Sequence, residues 1–261
     1  MSKDQLILSE KHDDLCKVWL NRPEKGNAMN IPMIKELNEI IREINEDVGI
    51  HFIIIQGMGQ NFCSGADINW MKEAGELGFE DNLKDSLELA ELFHQLFYSN
   101  KILLTGIRGA CYGGGIGLAA VSDFVIASSE SSFAFSEVKL GLVPATIAPY
   151  VVHRTGRHKA KQVMLSGEKL TPPDMLNLGL IDKISDPEQI DTEIALLIEN
   201  LRLGGKRAQQ TIKQLISDLG NITDWRDVKN YTAEILARAR SSAEGKEGVR
   251  AFLEKRKPNW D

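Results

Sequence analysis

The most restrictive feature of this sequence is a glycine cluster, with four glycines in five positions at Gly113, Gly114, Gly115 and Gly117. The cluster follows the aliphatic run from Ile102 to Ile107, which predicts a buried strand. Because glycine loses much chain entropy on folding, such a cluster indicates positive φ angles or close approach of another molecule to the backbone. A helix starting near Gly114 would direct free N–H groups outward, where they stabilise negative charge.

A second glycine-rich turn, Gly57 to Ile68, follows another predicted strand, Phe52 to Gln56. Neither a dinucleotide-binding pattern nor a phosphate-loop pattern fits these turns well. The stretch Gly115 to Ala120 has the loose form G-x-G-x-x-A, with Glu137 further on, but it lies too far beyond its strand for a dinucleotide site. No Gly-Lys-Ser or Gly-Lys-Thr ends either turn, which argues against a phosphate loop.

The order of strand and helix patterns predicts an α/β fold. The predicted strands are Leu6 to Leu8, Val18 to Leu20, Phe52 to Gln56, Ile102 to Ile107, Phe124 to Ala127 and Ile181 to Ile184. Apolar residues at helical spacing follow Asn30, which is a suitable N-cap, and a second such stripe lies between Leu89 and Leu96. After Leu142 helical stripes dominate, and they either cover the core or contact another copy of the chain.

Composition excludes several classes of protein. The 31 basic and 37 acidic side chains give a net charge of −6, which argues against nucleic-acid binding. No apolar run approaches the roughly 18 residues of a membrane span, and the N-terminus lacks a signal-peptide pattern. Three scattered cysteines without metal-ligand spacing fit a reducing cytoplasm, and neither they nor the histidines predict a metal site.

One carboxylate stands apart from the others. Glu137 lies in the short apolar segment from Phe133 to Val138, where burial would raise its pKa as a proton shuttle requires. Alternatively, Ser136, Glu137 and Lys139 simply begin a surface helix. The residues alone leave both interpretations open.

Taken together, the motifs resemble the crotonase superfamily of enoyl-CoA hydratases and isomerases. The similarity covers nearly the whole chain, in five segments in the family's order. The segments are Asn21 to Ala28, Phe62 to Ile68, Gly109 to Gly117, Phe135 to Pro144 and Glu247 to Arg256. Within the superfamily, Phe135 to Val151 looks most like bacterial 3-methylglutaconyl-CoA hydratases of leucine breakdown.

This resemblance implies a spiral of ββα turns over residues 1–200 and a helical region over 201–261 used in trimerisation, commonly as a dimer of trimers. It implies that the N–H groups of Ala66 and Gly114 form an oxyanion hole for the thioester oxygen. Coenzyme A, part of the substrate and not a separate cofactor, is expected along two segments of one subunit and, from a neighbouring subunit, at two C-terminal residues. The implied coenzyme A contacts are Glu24, Lys25, Gly26, Ser64, Asp67, Ile68, Phe252 and Lys255.

The catalytic carboxylates depart from the usual pattern of the family. Hydratases of the family usually carry two glutamates; here the second position is Glu137, but the first is Gly117. A single carboxylate favours an isomerase, which needs only one group to move a proton between two carbons. The hydratases similar to Phe135 to Val151 also have glycine at the first position, so we rank hydratase first, isomerase second and decarboxylation of a malonyl-type thioester third.

Three further points stay open from the sequence. A non-catalytic acyl-CoA-binding paralogue would also explain the loss of one glutamate. A substrate with an extra carboxylate would need a basic partner, for which Arg108 and Lys139 are candidates. The region Asn69 to Asn100 is either a mobile lid or a loop and helix start.

Overall fold

A computed structural model describes residues 5–260 of the chain. They form two compact units, one ending at Ala195 and the other beginning at Leu196. That division falls inside a helix, and the domain boundary expected after residue 200 stays a prediction. Each unit is described by itself below.

The first unit is built on two β-sheets. Its strands are β1 (Ile7–His12), β2 (Leu15–Leu20), β3 (Phe52–Gly57), β4 (Ile102–Ile107), β5 (Ala110–Tyr112), β6 (Phe124–Ser128), β7 (Ser132–Ala134), β8 (Lys169–Leu170) and β9 (Lys183–Ser185). The larger sheet has the order β1-β2-β3-β4-β6-β9, antiparallel between β1 and β2 and parallel elsewhere. The smaller sheet has the order β5-β7-β8. The α/β fold is therefore confirmed.

Helices occupy the segments between these strands and most of the chain after β9. They are α1 (Ile31–Glu46), α2 (Ile68–Glu76), α3 (Phe79–Phe97), α4 (Gly114–Val121), α5 (Ala148–Thr155), α6 (Arg157–Ser166), α7 (Pro172–Leu178), α8 (Ile190–Leu201), α9 (Lys206–Leu219), α10 (Trp225–Ser241) and α11 (Ala243–Leu253). None of the helices in residues 5–260 is long and apolar enough to cross a membrane.

The core of the first unit lies between the larger sheet and its helices. All six residues of β4 are buried, as expected for a parallel strand covered on both faces. Helix α1 contributes one apolar stripe to this core, including Leu37 and Ile41. Its N-cap is Asn30, whose side chain accepts a hydrogen bond from the Met33 N–H at 3.1 Å, as the sequence predicts.

The second unit contains α9, α10 and α11, which pack against one another. The Glu244 carboxylate accepts hydrogen bonds from the N–H groups of Arg207 and Ala208 and so caps α9. Several large apolar side chains of this unit are exposed, among them Trp225 and Phe252.

The six predicted strands are all present, whereas the three strands of the smaller sheet were not predicted. β5, β7 and β8 are only two or three residues long, too short for a period of two to be read. The region Asn69 to Asn100 consists mainly of α2 and α3. The Trp70 indole N–H in α2 donates a 3.1 Å hydrogen bond to the Asp85 carboxylate in α3 and so joins these helices.

Candidate active site

The two glycine-rich turns lie side by side. The N–H of Cys63 donates to the Ala110 carbonyl at 2.9 Å, and the Tyr112 N–H donates to the Cys63 carbonyl at 2.9 Å. These bonds make a parallel bridge between Cys63 and Cys111. Segments separated by nearly fifty residues are thus held at the spacing of neighbouring strands, next to the start of α4.

The Ala66 amide points away from the strand segment that pairs with it. The Met29 N–H donates to the Gly65 carbonyl at 2.8 Å, and the Asp67 N–H donates to the Met29 carbonyl at 2.8 Å. Since a trans peptide directs its N–H opposite to its C=O, the Ala66 N–H faces away from Met29. Within residues 5–260 no backbone carbonyl outside the regular elements accepts this N–H, and Ala66 is exposed. The amide is available to a ligand.

The Gly114 amide is the first of α4, so no carbonyl of its own helix can accept it. Gly113 before it has φ +48° and donates its N–H to the Ala134 carbonyl at 3.2 Å. A Cβ at Gly114 would lie 2.8 Å from the Met29 sulfur, and one at Gly113 would lie 3.9 Å from the Gly65 Cα. The chain around Gly114 therefore borders the same residues as the chain around Ala66.

Glu137 reaches the N-terminus of α4 from a short 3-10 helix, Ser136–Leu140, that follows β7. Its Oε1 lies 2.9 Å from the position of a Cβ on Gly113, so a side chain there would displace the carboxylate, and the φ of +48° also favours glycine. Its Oε2 is shielded from solvent and has no hydrogen-bond partner among residues 5–260. Burial raises the pKa of this carboxyl group. Buried oxygens without partners are rare in proteins, and a catalytic role is one of the reasons they are retained.

Gly117, the position of the missing glutamate, has no room for a side chain. A Cβ there would lie 2.4 Å from Ile147 Cγ2 and 2.6 Å from Phe93 Cζ. Both of these side chains are buried. The absence of a carboxylate at position 117 is therefore part of the packing around α4.

The segments expected to bind coenzyme A meet at the first glycine-rich turn. Glu24 and Lys25 lie exposed on a 3-10 helix, Pro23–Lys25, that ends at Gly26. The Ser64 N–H donates to the Gly26 carbonyl at 2.9 Å, and its hydroxyl donates to the Lys25 carbonyl at 3.3 Å. Ile68, the first residue of α2, is 67% exposed.

Asp67 differs from these residues because its carboxylate is already engaged. Oδ1 accepts the Asn69 N–H at 2.8 Å, which caps α2, and Oδ2 accepts a hydrogen bond from Arg22 Nη2 at 2.7 Å. The Arg22 guanidinium holds the pKa of Asp67 below its usual range. Sequence reasoning did not identify Arg22, although it lies within the Asn21 to Ala28 motif.

The remaining candidates lie elsewhere. Phe252 lies at the C-terminal end of α11, and Lys255, three residues further on, has φ +55°. Both residues belong to the second unit. The Arg108 guanidinium donates to the Pro187 carbonyl at 3.0 Å and to Asp191 at 3.1 Å. Lys139 is exposed two residues after Glu137. In the described part of the chain, no three His, Cys, Asp or Glu side chains are grouped as metal ligands.

Comparison with known proteins agrees with this geometry. The family model described as enoyl-CoA hydratase/isomerase matches residues 10–261. The chain belongs to the enoyl-CoA hydratase/isomerase family. A Thermus thermophilus protein provisionally named an enoyl-CoA hydratase is 30% identical, over 93% of this chain and 96% of its own.

Two further relatives support membership in this family. The crotonyl-CoA hydratase of Syntrophomonas wolfei is 29% identical, with 100% of this chain and 99% of its own covered. A crystal structure of an enoyl-CoA hydratase from Shewanella pealeana superimposes with a TM-score of 0.93 at 34% identity, over 99% of this chain and 97% of that one. The crotonase fold expected from the sequence is confirmed.

Proposed function

We propose that this family member is an enoyl-CoA hydratase that uses Glu137 as its single acid–base group. The observation that carries the proposal is the half-buried Glu137 carboxylate beside the first residues of α4, whose Oε2 is shielded from solvent and has no hydrogen-bond partner among residues 5–260. In this position it is close to a helix N-terminus that attracts negative charge. All three relatives described above also carry hydratase names.

In the proposed reaction, the thioester oxygen lies between the N–H groups of Ala66 and Gly114. Water adds its oxygen to Cβ of the enoyl group while Glu137 takes a proton from that water. The electron pair of the double bond moves onto the thioester as an enolate, which the two amides stabilise. Glu137 then returns the proton to Cα, so the substrate gains one H and one OH from a single water molecule.

Exchange of Glu137 for glutamine tests this role directly. Glu137→Gln keeps the shape of the side chain but removes the base, so turnover should fall by about a hundredfold to ten-thousandfold. Loss of the enoyl absorbance of crotonyl-CoA measures hydration. Glu130→Gln is the matched control, because Glu130 is an exposed glutamate between β6 and β7. Undiminished hydration by Glu137→Gln would remove Glu137 from the mechanism.

A second candidate function is enoyl-CoA isomerisation, which the packing at Gly117 favours. Because Phe93 and Ile147 fill the space at that position, Glu137 has no second carboxylate partner there. Proton removal from one carbon and return to another needs one base. A 3-enoyl thioester would then gain enoyl absorbance on incubation with the protein. Saturable acyl-CoA binding without any absorbance change would instead indicate a binding protein.

The substrate and assembly belong to the same proposal. The likeness of Phe135 to Val151 to 3-methylglutaconyl-CoA hydratases supports that thioester as substrate, hence a place in leucine degradation in the cytoplasm. Coenzyme A would lie along Gly26 and Ser64. Exposed apolar residues of the second unit, such as Phe252, support a trimer or a dimer of trimers. A panel of enoyl thioesters and a mass measurement in solution test these points.

A further inference from the structure

Arg22 occupies an unusual position beside the proposed oxyanion hole. Its Nη1 donates to the Ala28 carbonyl at 2.6 Å, and its Nη2 donates to Asp67 Oδ2 at 2.7 Å. The side chains of Arg22 and Asp67 are only 12% and 9% exposed. One guanidinium therefore joins two chain segments that are separated by 45 residues in the sequence.

The backbone around Arg22 is itself fixed. Its N–H donates to Asn27 Oδ1 at 2.8 Å, and Asn27 is fully buried. The Asn27 amide group in turn donates to the carbonyls of Met58 and Asn61, at 2.9 and 2.6 Å. The guanidinium is thus held from a rigid base.

Both groups bound by Arg22 adjoin the residues that orient the Ala66 amide. Ala28 precedes Met29, whose N–H holds the Gly65 carbonyl, and Asp67 follows Ala66. Gly65 has φ +102°, and a glycine next to a peptide unit lets that unit rotate easily. Without a second attachment, the peptide between Gly65 and Ala66 would be held mainly by the bonds to Met29.

A buried ion pair is not, in general, a strong source of stability. The cost of removing two charges from water often matches their attraction, and apolar replacements are frequently neutral. What an arginine–carboxylate pair supplies here is geometry, because the planar guanidinium fixes two acceptors at once. Lysine carries the same charge but cannot reproduce this fork.

We infer that Arg22 is a positioning residue for the proposed reaction: through Asp67 and Ala28 it fixes the direction of the Ala66 N–H toward the thioester oxygen. This inference rests on the proposed function. It also gives Asp67 a role within the protein, in place of direct contact with coenzyme A.

The test measures carbonyl polarisation directly. The protein is mixed with an acyl-CoA labelled with ¹³C at the thioester carbonyl, and difference infrared spectroscopy records the carbonyl frequency. Binding to the wild-type chain should lower this frequency, because hydrogen-bond donors polarise the bond. Arg22→Lys and Asp67→Asn should reduce the shift and lower kcat about tenfold to a hundredfold, a part of the loss expected for removing a whole donor. KM should change much less.

Arg154→Lys is the matched control. Arg154 also joins backbone carbonyls to a carboxylate, at Ser122, Gly179 and Asp182, and its side chain is 13% exposed. It lies at the other end of α4 from Gly114. We expect Arg154→Lys to lower the melting temperature about as much as Arg22→Lys while leaving the infrared shift and kcat unchanged.

Each outcome decides the inference. Asp67→Asn keeps an N-cap for α2, so it should fold even where Arg22→Lys does not. A full infrared shift in either variant, with kcat retained, overturns the positioning role. A wild-type infrared shift without hydration or isomerisation refutes the proposed function. The infrared shifts of Arg22→Lys and Asp67→Asn then still decide the positioning role. No shift in the wild-type chain refutes both.

Discussion

The packing around Gly117 allows a quantitative test. In Gly117→Ala the new Cβ would lie 2.4 Å from Ile147 Cγ2, whereas ordinary contacts begin at 3.4 Å, so a displacement of 3.4 − 2.4 = 1.0 Å is needed. Overpacking of this kind costs about 1–3 kcal/mol. In a helix interior, alanine is more favourable than glycine by about 0.5–1 kcal/mol, which offsets part of this cost. A displacement of 1.0 Å belongs in the upper half of that cost, about 2–3 kcal/mol, so the net loss should be about 1–2.5 kcal/mol, which lowers the melting temperature by about 2–10 °C.

The control is the same substitution in open space. Gly75 lies in α2, and apart from its chain neighbours and the backbone of its own helix no heavy atom of residues 5–260 is within 4 Å of its Cβ position. Gly75→Ala should therefore raise the stability by about 0.5–1 kcal/mol. Phe93→Leu removes the ring atoms that a Cβ at 117 would meet, so Gly117→Ala should cost less in that background. Thermal unfolding compares the wild type with these three single variants and the double variant, and a Gly117→Ala melting temperature equal to the wild-type value would refute the reasoning.

Two further predictions concern titratable groups. Because burial raises the Glu137 pKa above 4.5, folded protein holds that proton to higher pH than unfolded protein, and wild-type stability falls as pH rises through this window. Glu137→Gln should therefore gain melting temperature relative to wild type as the pH rises from 4.5; a constant difference would contradict this. Burial raises the pKa of the Cys63 thiol to about 11 and that of Cys111 also, so a thiol reagent should label neither before denaturant is added, and rapid native labelling would refute their burial.

The sequence predicts those parts of the fold whose signal is local. The apolar run of β4 and the stripe of α1 are long enough to show their period, and Asn30 caps α1 as expected. The start of α4 at Gly114 was also predicted, from the change from a strand to a glycine-rich turn. β5 and β7 were not, because their pairing depends on neighbours elsewhere in the chain and not on their own residues.

The same distinction holds in the candidate site. Glu137 could be identified because a carboxylate inside an apolar segment is conspicuous in the sequence. Arg22 could not, since its partner Asp67 lies 45 positions later and each residue alone reads as a solvated charge. Phe93 and Ile147 were likewise hidden, because only the fold brings them onto Gly117.

The proximity of Glu137 to the amide donors limits when charge can be present in the proposed reaction. An ionised carboxylate next to a developing enolate would place two negative charges in a poorly solvated space, which is unfavourable. In the proposed relay, Glu137 takes the water's proton as the enolate forms, so one negative charge passes from the carboxylate to the thioester and two are never present together. Desolvation raises the Glu137 pKa and favours this neutral state. Phe93 and Ile147 leave no room for a second carboxylate at position 117, so Glu137 carries the acid–base chemistry of the proposed reaction alone.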